Sequence, residues 1–331
     1  MNKNVFVDQF TRRLLYKIAQ AYYEDGLTQE QVARRLGISR IKVSRYLRQA
    51  RELKIVQITL LPFDKRHADL ERQIEQLYDL DEVIVVSAPD TSRSGIAQAL
   101  GPAAADCLLR GLGGEETVAL TWGGTLLALV NALSPANYPK LRVVQCIGGL
   151  SRPDAEINGA DLVRRMAQIL GGKPLLLPAP GMVESAAVCG ALLADAQIAD
   201  TLRQALDADV AVVGIGTPFE HGTAGQHGIL TPQELERLRR KGAVGEIGLR
   251  FFGESGDPIE DEINGRVVGL GLKEYASIRR VICVAGGEEK FSAIQAALHA
   301  RLVHVLVTDE HTAAKLLETH FLYQQPSHEG K

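Results

Sequence analysis

The sequence predicts an α/β protein in two parts, a small all-α segment followed by a larger domain on a mostly parallel sheet. Three observations carry this. The 331 residues exceed what one hydrophobic core usually covers. The charge is divided: residues 1–60 balance to +7, the remainder to −10, for −3 in total. From residue 80 onward, short apolar runs rich in Val and Ile alternate with helical patterns, as in successive strand–helix units.

The small segment reads as three helices. Phe10, Leu14, Ile18 and Tyr22 follow helical spacing, with Leu15 and Ala19 beside them, and Gly26 ends the helix. Thr28 opens a second helix as N-cap with Gln31 at the third helical position, a capping box, and Leu27 with Val32 suits a hydrophobic staple. Val32, Ala33 and Leu36 form its inner face, and Gly37 stops it. Ser39 caps a third helix that runs to about Leu53. At about 100° per residue, Val43, Leu47 and Ala50 share an inward face. Ile41, Arg45 and Arg48 point the other way, flanked by Arg40, Lys42, Ser44 and Arg51.

A short helix, a glycine turn and a basic second helix form a helix-turn-helix pattern, which fits the DNA major groove. Charge alone would equally suit a solvated basic surface. The exposed face of the third helix, however, has no acid before Glu52. Candidate DNA contacts are Thr28, Gln29, Ser39, Arg40, Ile41, Lys42, Ser44, Arg45 and Arg48. Residues 55–61 read as a short strand, a wing or connector. The expected division is a DNA-binding domain over 1–61, a linker over 62–67, an effector-binding and oligomerisation domain over 68–323 and a polar tail over 324–331.

The larger domain offers seven strands: 81–87, 116–122, 141–147, 173–178, 209–216, 279–287 and 303–310. Their continuous apolar character suits strands buried on both faces in a Rossmann-like arrangement. Ligands bind such sheets beyond the carboxyl ends of the strands. Glycines stand at several of those ends: Gly123-Gly124-Thr125, Gly214-Ile215-Gly216-Thr217 and Gly286-Gly287 with Lys290 following. Glycine lets backbone approach an anion, and a helix N-terminus offers free N–H groups to it. Tight turns alone would explain any one of these. Several on one sheet edge point to a small anionic ligand such as a phosphate. Glu246, in the glycine-rich run GAVGEIG, could accept hydrogen bonds from sugar hydroxyls or stand as a solvent-facing carboxylate. Residues 254–258, ESGDP, read as a hairpin-type turn.

Several classes are disfavoured. Neither common nucleotide fingerprint is present, so no ATP, NAD or other cofactor is expected. Cys107, Cys146, Cys189 and Cys283 show no paired spacing and read as buried thiols, without disulfide or zinc. No apolar run reaches the roughly 18–20 residues of a membrane span, and the N-terminus lacks a signal core, so a cytoplasmic protein is expected.

At this point the sequence resembles the SorC family of bacterial transcription regulators, often grouped with DeoR-type sugar regulators. The resemblance rests on GLTQEQVARRLGISRIKVSRYL at 26–47, TWGGT at 121–125, LLLPAP at 175–180 and VAVVGIG at 210–216. It continues through KGAVGEIGLRFF at 241–252, VAGGEEKFSAIQAAL at 284–298 and VLVTDEHTAAKLL at 305–317. It implies an effector domain with the fold of sugar-phosphate isomerases and deaminases, used as a sensor of a phosphorylated sugar that changes the grip on operator DNA. It also implies a homodimer or homotetramer. By the same resemblance, Gly123, Gly124, Thr125 and Lys290 hold the effector phosphate. Glu246, Gly148, Gly149, Asn158 and Gly216 line the sugar. Relatives often carry Asp where this chain has Glu246. The alternative reading is a sugar-phosphate isomerase or deaminase-like enzyme fused to a DNA-binding segment, with Glu246 as general base. That reading leaves the basic helix-turn-helix without a role.

Overall fold

The computed structural model describes residues 9–57, 65–149 and 158–324. The chain divides into two compact units, Met1–Phe63 and Asp64–Lys331.

In the first unit α1 spans Gln9–Tyr23, α2 Gln29–Leu36 and α3 Arg40–Glu52. The ends obey local chemistry. Thr28 Oγ1 accepts from Gln31 N at 3.2 Å, and Gln31 Oε1 accepts from Thr28 N at 2.8 Å. Gly37 ends α2 in the left-handed region, with φ of 63°. Ser39 Oγ caps α3 by accepting from Lys42 N at 3.3 Å. Leu15, Ile18 and Ala19 of α1 bury against Val32 and Ala33 of α2 and Val43, Leu47 and Ala50 of α3. Phe10 and Leu36 depart from the expected inner faces and lie exposed: the buried stripe of α1 centres on Leu15, Ile18 and Ala19, and that of α2 on Val32 and Ala33, with Leu36 at the helix end. Ile55 and Val56 donate back to the carbonyl of Ala50, so 55–57 form no strand. Residues 58–61 of the expected strand, and 62–64 of the expected linker, lie outside the described residues.

The second unit opens with α4 (Lys65–Tyr78), which starts three residues before the expected Ala68. There follow β1 (Glu82–Val86), α5 (Arg93–Arg110), β2 (Thr117–Leu120), α6 (Gly124–Ala132), β3 (Arg142–Gln145), α7 (Gly159–Leu170) and β4 (Lys173–Leu175). Next come α8 (Ala186–Leu193), α9 (Ala196–Leu206), β5 (Val210–Val213), α10 (Thr223–Gln226) and α11 (Pro232–Arg240). A hairpin of β6 (Gly245–Ile247) and β7 (Arg250–Phe252) leads to α12 (Glu262–Gly265) and α13 (Leu272–Ser277). The chain closes with β8 (Val281–Val284), a 3-10 turn over Glu288–Lys290, α14 (Phe291–His299), β9 (Val305–Asp309) and α15 (Glu310–Gln324). Of the expected tail, Gln324 ends α15 and the rest lies outside the described residues.

All seven expected strands join one parallel sheet in the order β1-β9-β8-β5-β2-β3-β4. Alternation along each strand feeds two cores. Val118, Leu120, Val212 and Val284 enter one, and Ala119, Ala211, Val213 and Cys283 enter the other. Because both faces are covered, these strands read as continuous apolar runs. All four cysteines are free and buried.

The order reverses between β2 and β5, which pair with Val118 opposite Val210. From β2 the chain proceeds outward through β3 and β4, then returns to β5 on the other side. The loops leaving β2 and β5 therefore diverge and leave a crevice at their carboxyl ends.

Candidate functional site

In the first unit, α3 turns Val43, Leu47 and Ala50 inward, which leaves Arg40, Ile41, Lys42, Ser44, Arg45 and Arg48 exposed. Ile41 is 82% exposed, which a core role would not allow. Arg48 pairs loosely with Glu52 at 4.0 Å. Among the described residues Arg40, Lys42 and Arg45 pair with no carboxylate, and Arg45 lies over the Tyr46 ring. Their charge faces solvent, free for a polyanion. Thr28 and Ser39 spend their hydroxyls on capping, and Gln29 is half-buried at the start of α2.

In the second unit the crevice gathers most of the expected ligand residues. Gly123 is the N-cap of α6 with φ of 156°, and no side chain caps this helix. Thr125 follows in its first turn, 8% exposed. Gly216 lies beyond β5 and pairs both ways with Glu246, each backbone N–H donating to the other's carbonyl at 3.0 Å. A methyl at 216 would overlap the Glu246 carboxylate as it stands, so a larger residue there would displace that side chain. Gly123, Gly124, Thr125, Gly216, Glu246 and Lys290 thus line one recess of about 30 Å³. It shares Gly124, Thr125, Gly216 and Lys290 with an adjoining cavity of about 910 Å³.

Glu246 is buried, and Leu249 N donates to its Oε2 at 2.6 Å. Burial pushes its carboxyl up to about 7, opposed by the Leu249 N–H and by Lys290. Burial likewise lowers the Lys290 ammonium, helped by the charge of Arg93, while Glu246 and Glu289 act to raise it. A half-buried cation and a buried acid flank the open N-terminus of α6. That arrangement can take a phosphate on the cation and the helix N–H groups, and a hydroxyl on the acid.

Other expected residues lie elsewhere. Asn158 caps α7, its Oδ1 accepting from Ala160 N at 3.0 Å. Gly148 donates to Val268 O and receives the Trp122 indole N–H at 3.1 Å. Gly149 pairs with Pro180 and lines a separate recess of about 220 Å³ with Glu184, Leu249 and Arg266.

Sequence reading missed three supports. Buried Asp309, at the end of β9, accepts from Gly287 N at 2.8 Å and from Thr312 Oγ1 at 2.7 Å through Oδ2. Its Oδ1 caps α15 through His311 N and Thr312 N. Asp309 therefore sets the loop that presents Lys290, and the D-x-x-T spacing of a cap was its visible signal. Arg93, at the start of α5, donates to Glu289 at 2.7 Å and to the His221 carbonyl, in the wall of the larger cavity. Leu249 holds φ of 61° in the two-residue turn between β6 and β7, where a bulky side chain hides the signal. The turn expected at 254–258 also forms, with Gly253 N donating to Asp257 O at 3.0 Å.

Comparison with known proteins places this geometry. Residues 65–318 match the Sugar-bind family of sugar-binding domains, and residues 17–52 match region 4 of sigma-70 factors. The deoxyribonucleoside regulator of Bacillus subtilis (strain 168) is 31% identical over 312 residues, covering 94% of this chain and 99% of that protein. The transcriptional regulator LsrR of Enterobacter sp. (strain 638) is 34% identical over 308 residues, covering 92% of each. The full-length sorbitol operon regulator SorC of Klebsiella pneumoniae superposes with a TM-score of 0.70 at 30% identity, over 92% of this chain and 99% of that one. Among the described residues no helix is long and apolar enough to cross a membrane. With a helix-turn-helix unit ahead of a sugar-binding α/β unit, the chain belongs to the SorC family of sugar-binding transcriptional regulators, and the relatives it matches are named as regulators rather than enzymes.

Proposed function

We propose that the effector of this regulator is a phosphorylated sugar or sugar-like metabolite, with its phosphate on Gly123–Thr125 and Lys290 and a hydroxyl on Glu246. The observation that supports this is the meeting of Lys290, Glu246 and the uncapped start of α6 in one recess where the strand order reverses. A phosphate brings a full negative charge to the half-buried Lys290 ammonium, which a neutral sugar does not. Two relatives are named for deoxyribonucleosides and for the sorbitol operon, which is in keeping with a sugar-like effector here. Operator DNA is taken by α3, and two copies of the chain in the cytoplasm place two such helices on half-sites one helical turn apart. Regulation follows if the effector binds the DNA-competent and DNA-incompetent arrangements with different affinities.

The test is a thermal-shift screen of the whole chain with pentose, hexose and polyol phosphates beside their unphosphorylated parents. A rise with a phosphorylated member only supports the assignment, and an equal rise with the parent sugar overturns it. A gel shift on the DNA upstream of the chain's own gene, with and without that compound, then gives the direction of control.

A further inference from the structure

The cavity beside the effector recess is larger than its anchor requires. At about 910 Å³ it lies near the top of the ~300–1,000 Å³ that enclose drug-sized ligands. A monosaccharide phosphate held by Gly124, Thr125 and Lys290 leaves most of that space empty. The remainder has a definite shape. Helices α5 and α6 follow β1 and β2 and pack side by side, so closely that a methyl on Gly101 would lie 2.7 Å from the Ala128 carbonyl oxygen. Ser94, Gln98 and Pro102 on α5, and Gly124, Ala128 and Ala132 on α6, line the cavity at every fourth position. Positions so spaced form one row on a helix. Each row here runs about 12 Å, starting at the recess. Together they bound a groove that continues the effector site, and Ala97 and Leu127 add to its apolar walls.

Charge is divided along this cavity. Arg93, Glu288, Glu289 and Lys290 line the end nearest the strand loops. Residues 94–105 of α5 and the whole of α6 carry no charged side chain. Two amides line the groove instead. Gln98 is exposed and has no protein hydrogen-bond partner among the described residues. Asn131 accepts from Arg165 through Oδ1, which leaves its Nδ2 hydrogens to donate.

We propose that the effector is a phosphorylated disaccharide, with its phosphorylated ring at the recess and its second, neutral ring in the groove between α5 and α6. This rests on the phosphate assignment to Lys290 and narrows it. A sugar ring joins an apolar C–H face to a rim of hydroxyls, which matches apolar walls that carry two amides. Amides donate and accept, as hydroxyls require. A second phosphate would enter the groove without a counter-charge. A wholly apolar group would strip water from Gln98 and Asn131 without replacing its hydrogen bonds.

The test is isothermal titration calorimetry of the full chain with glucose 6-phosphate, fructose 1,6-bisphosphate, trehalose 6-phosphate and the 6′-phosphates of cellobiose and maltose. At least one disaccharide phosphate should bind about tenfold more tightly than glucose 6-phosphate, as one or two added neutral hydrogen bonds would give. Q98W fills the groove from an exposed position. It should remove that gain, with glucose 6-phosphate affinity and ligand-free melting temperature unchanged. Equal or tighter binding of glucose 6-phosphate or of the bisphosphate, or a gain that survives in Q98W, would overturn the proposal and leave the phosphate assignment standing. Silence of the whole panel would remove both.

Discussion

Replacing Lys290 with methionine separates a ligand anchor from a structural ion pair. The side chain is half-buried and burial lowers its pKa, with no hydrogen bond to a protein acceptor among the described residues. In the absence of ligand, Lys290→Met therefore removes a cost, and its melting temperature should equal or exceed the parent's. With ligand, one charge-assisted hydrogen bond is lost, about 1.5–3 kcal/mol, or roughly 10- to 150-fold in Kd. At a ligand concentration of about 100 parental Kd, the parent gains about 2.7 kcal/mol, and the variant should gain only about 0.3–1.4 kcal/mol. For a domain of this size the thermal shift falls from roughly 5–11 °C to roughly 1–6 °C. The assay is differential scanning fluorimetry of both proteins, with and without the sugar phosphate that shifts the parent most. Two results would refute the reasoning: an undiminished shift, which removes the phosphate from Lys290, or a ligand-free melting temperature several degrees lower, which makes Lys290 structural.

Three other substitutions probe other features. Glu246 titrates near 7 when folded against an ordinary 4.5, so between these values the folded chain holds a proton that the unfolded chain has released. Stability should therefore fall as pH rises from about 4.5 through 7, and Glu246→Gln should lack that decline and gain up to about 3 kcal/mol above pH 7 in urea unfolding. Gly216→Ala drives a methyl into the Glu246 carboxylate and should cost about 1–3 kcal/mol of stability and weaken effector binding by calorimetry. Arg45→Ala should weaken operator binding and lower its salt slope by about 1, leaving the effector-induced thermal shift intact.

Much of this molecule is legible because its local and tertiary preferences agree. Thr28, Gln31, Gly37 and Ser39 sit where caps and stops belong, and tertiary packing overrides none of them. The central strands announce themselves because the sheet is covered on both faces, and the topology then follows from strand–helix alternation. The glycine loops and Lys290 stand out in the sequence because glycine before a helix is a chemical signal in its own right, and the fold brings them to one recess. Legibility fails where a role depends on pairing across the chain. Arg93 and Glu289 lie 196 positions apart, and nothing local joins them. Leu249 occupies a turn position where Asn or Gly would have marked a hairpin, so β6 and β7 were not foreseen. Asn158 looked like a polar side chain for a sugar and is found capping α7.

The double engagement of Asp309 bears on how such sensors can be rebuilt. One oxygen caps α15 and the other holds the glycine loop ahead of Lys290, so the two segments form one mechanical part although 22 residues separate Gly287 from Asp309. A loop cut at 286–290 and moved to another scaffold would arrive without its last support. The transferable piece for building a biosensor is the pair of segments 286–290 and 309–312, moved together with the two strands that hold them side by side.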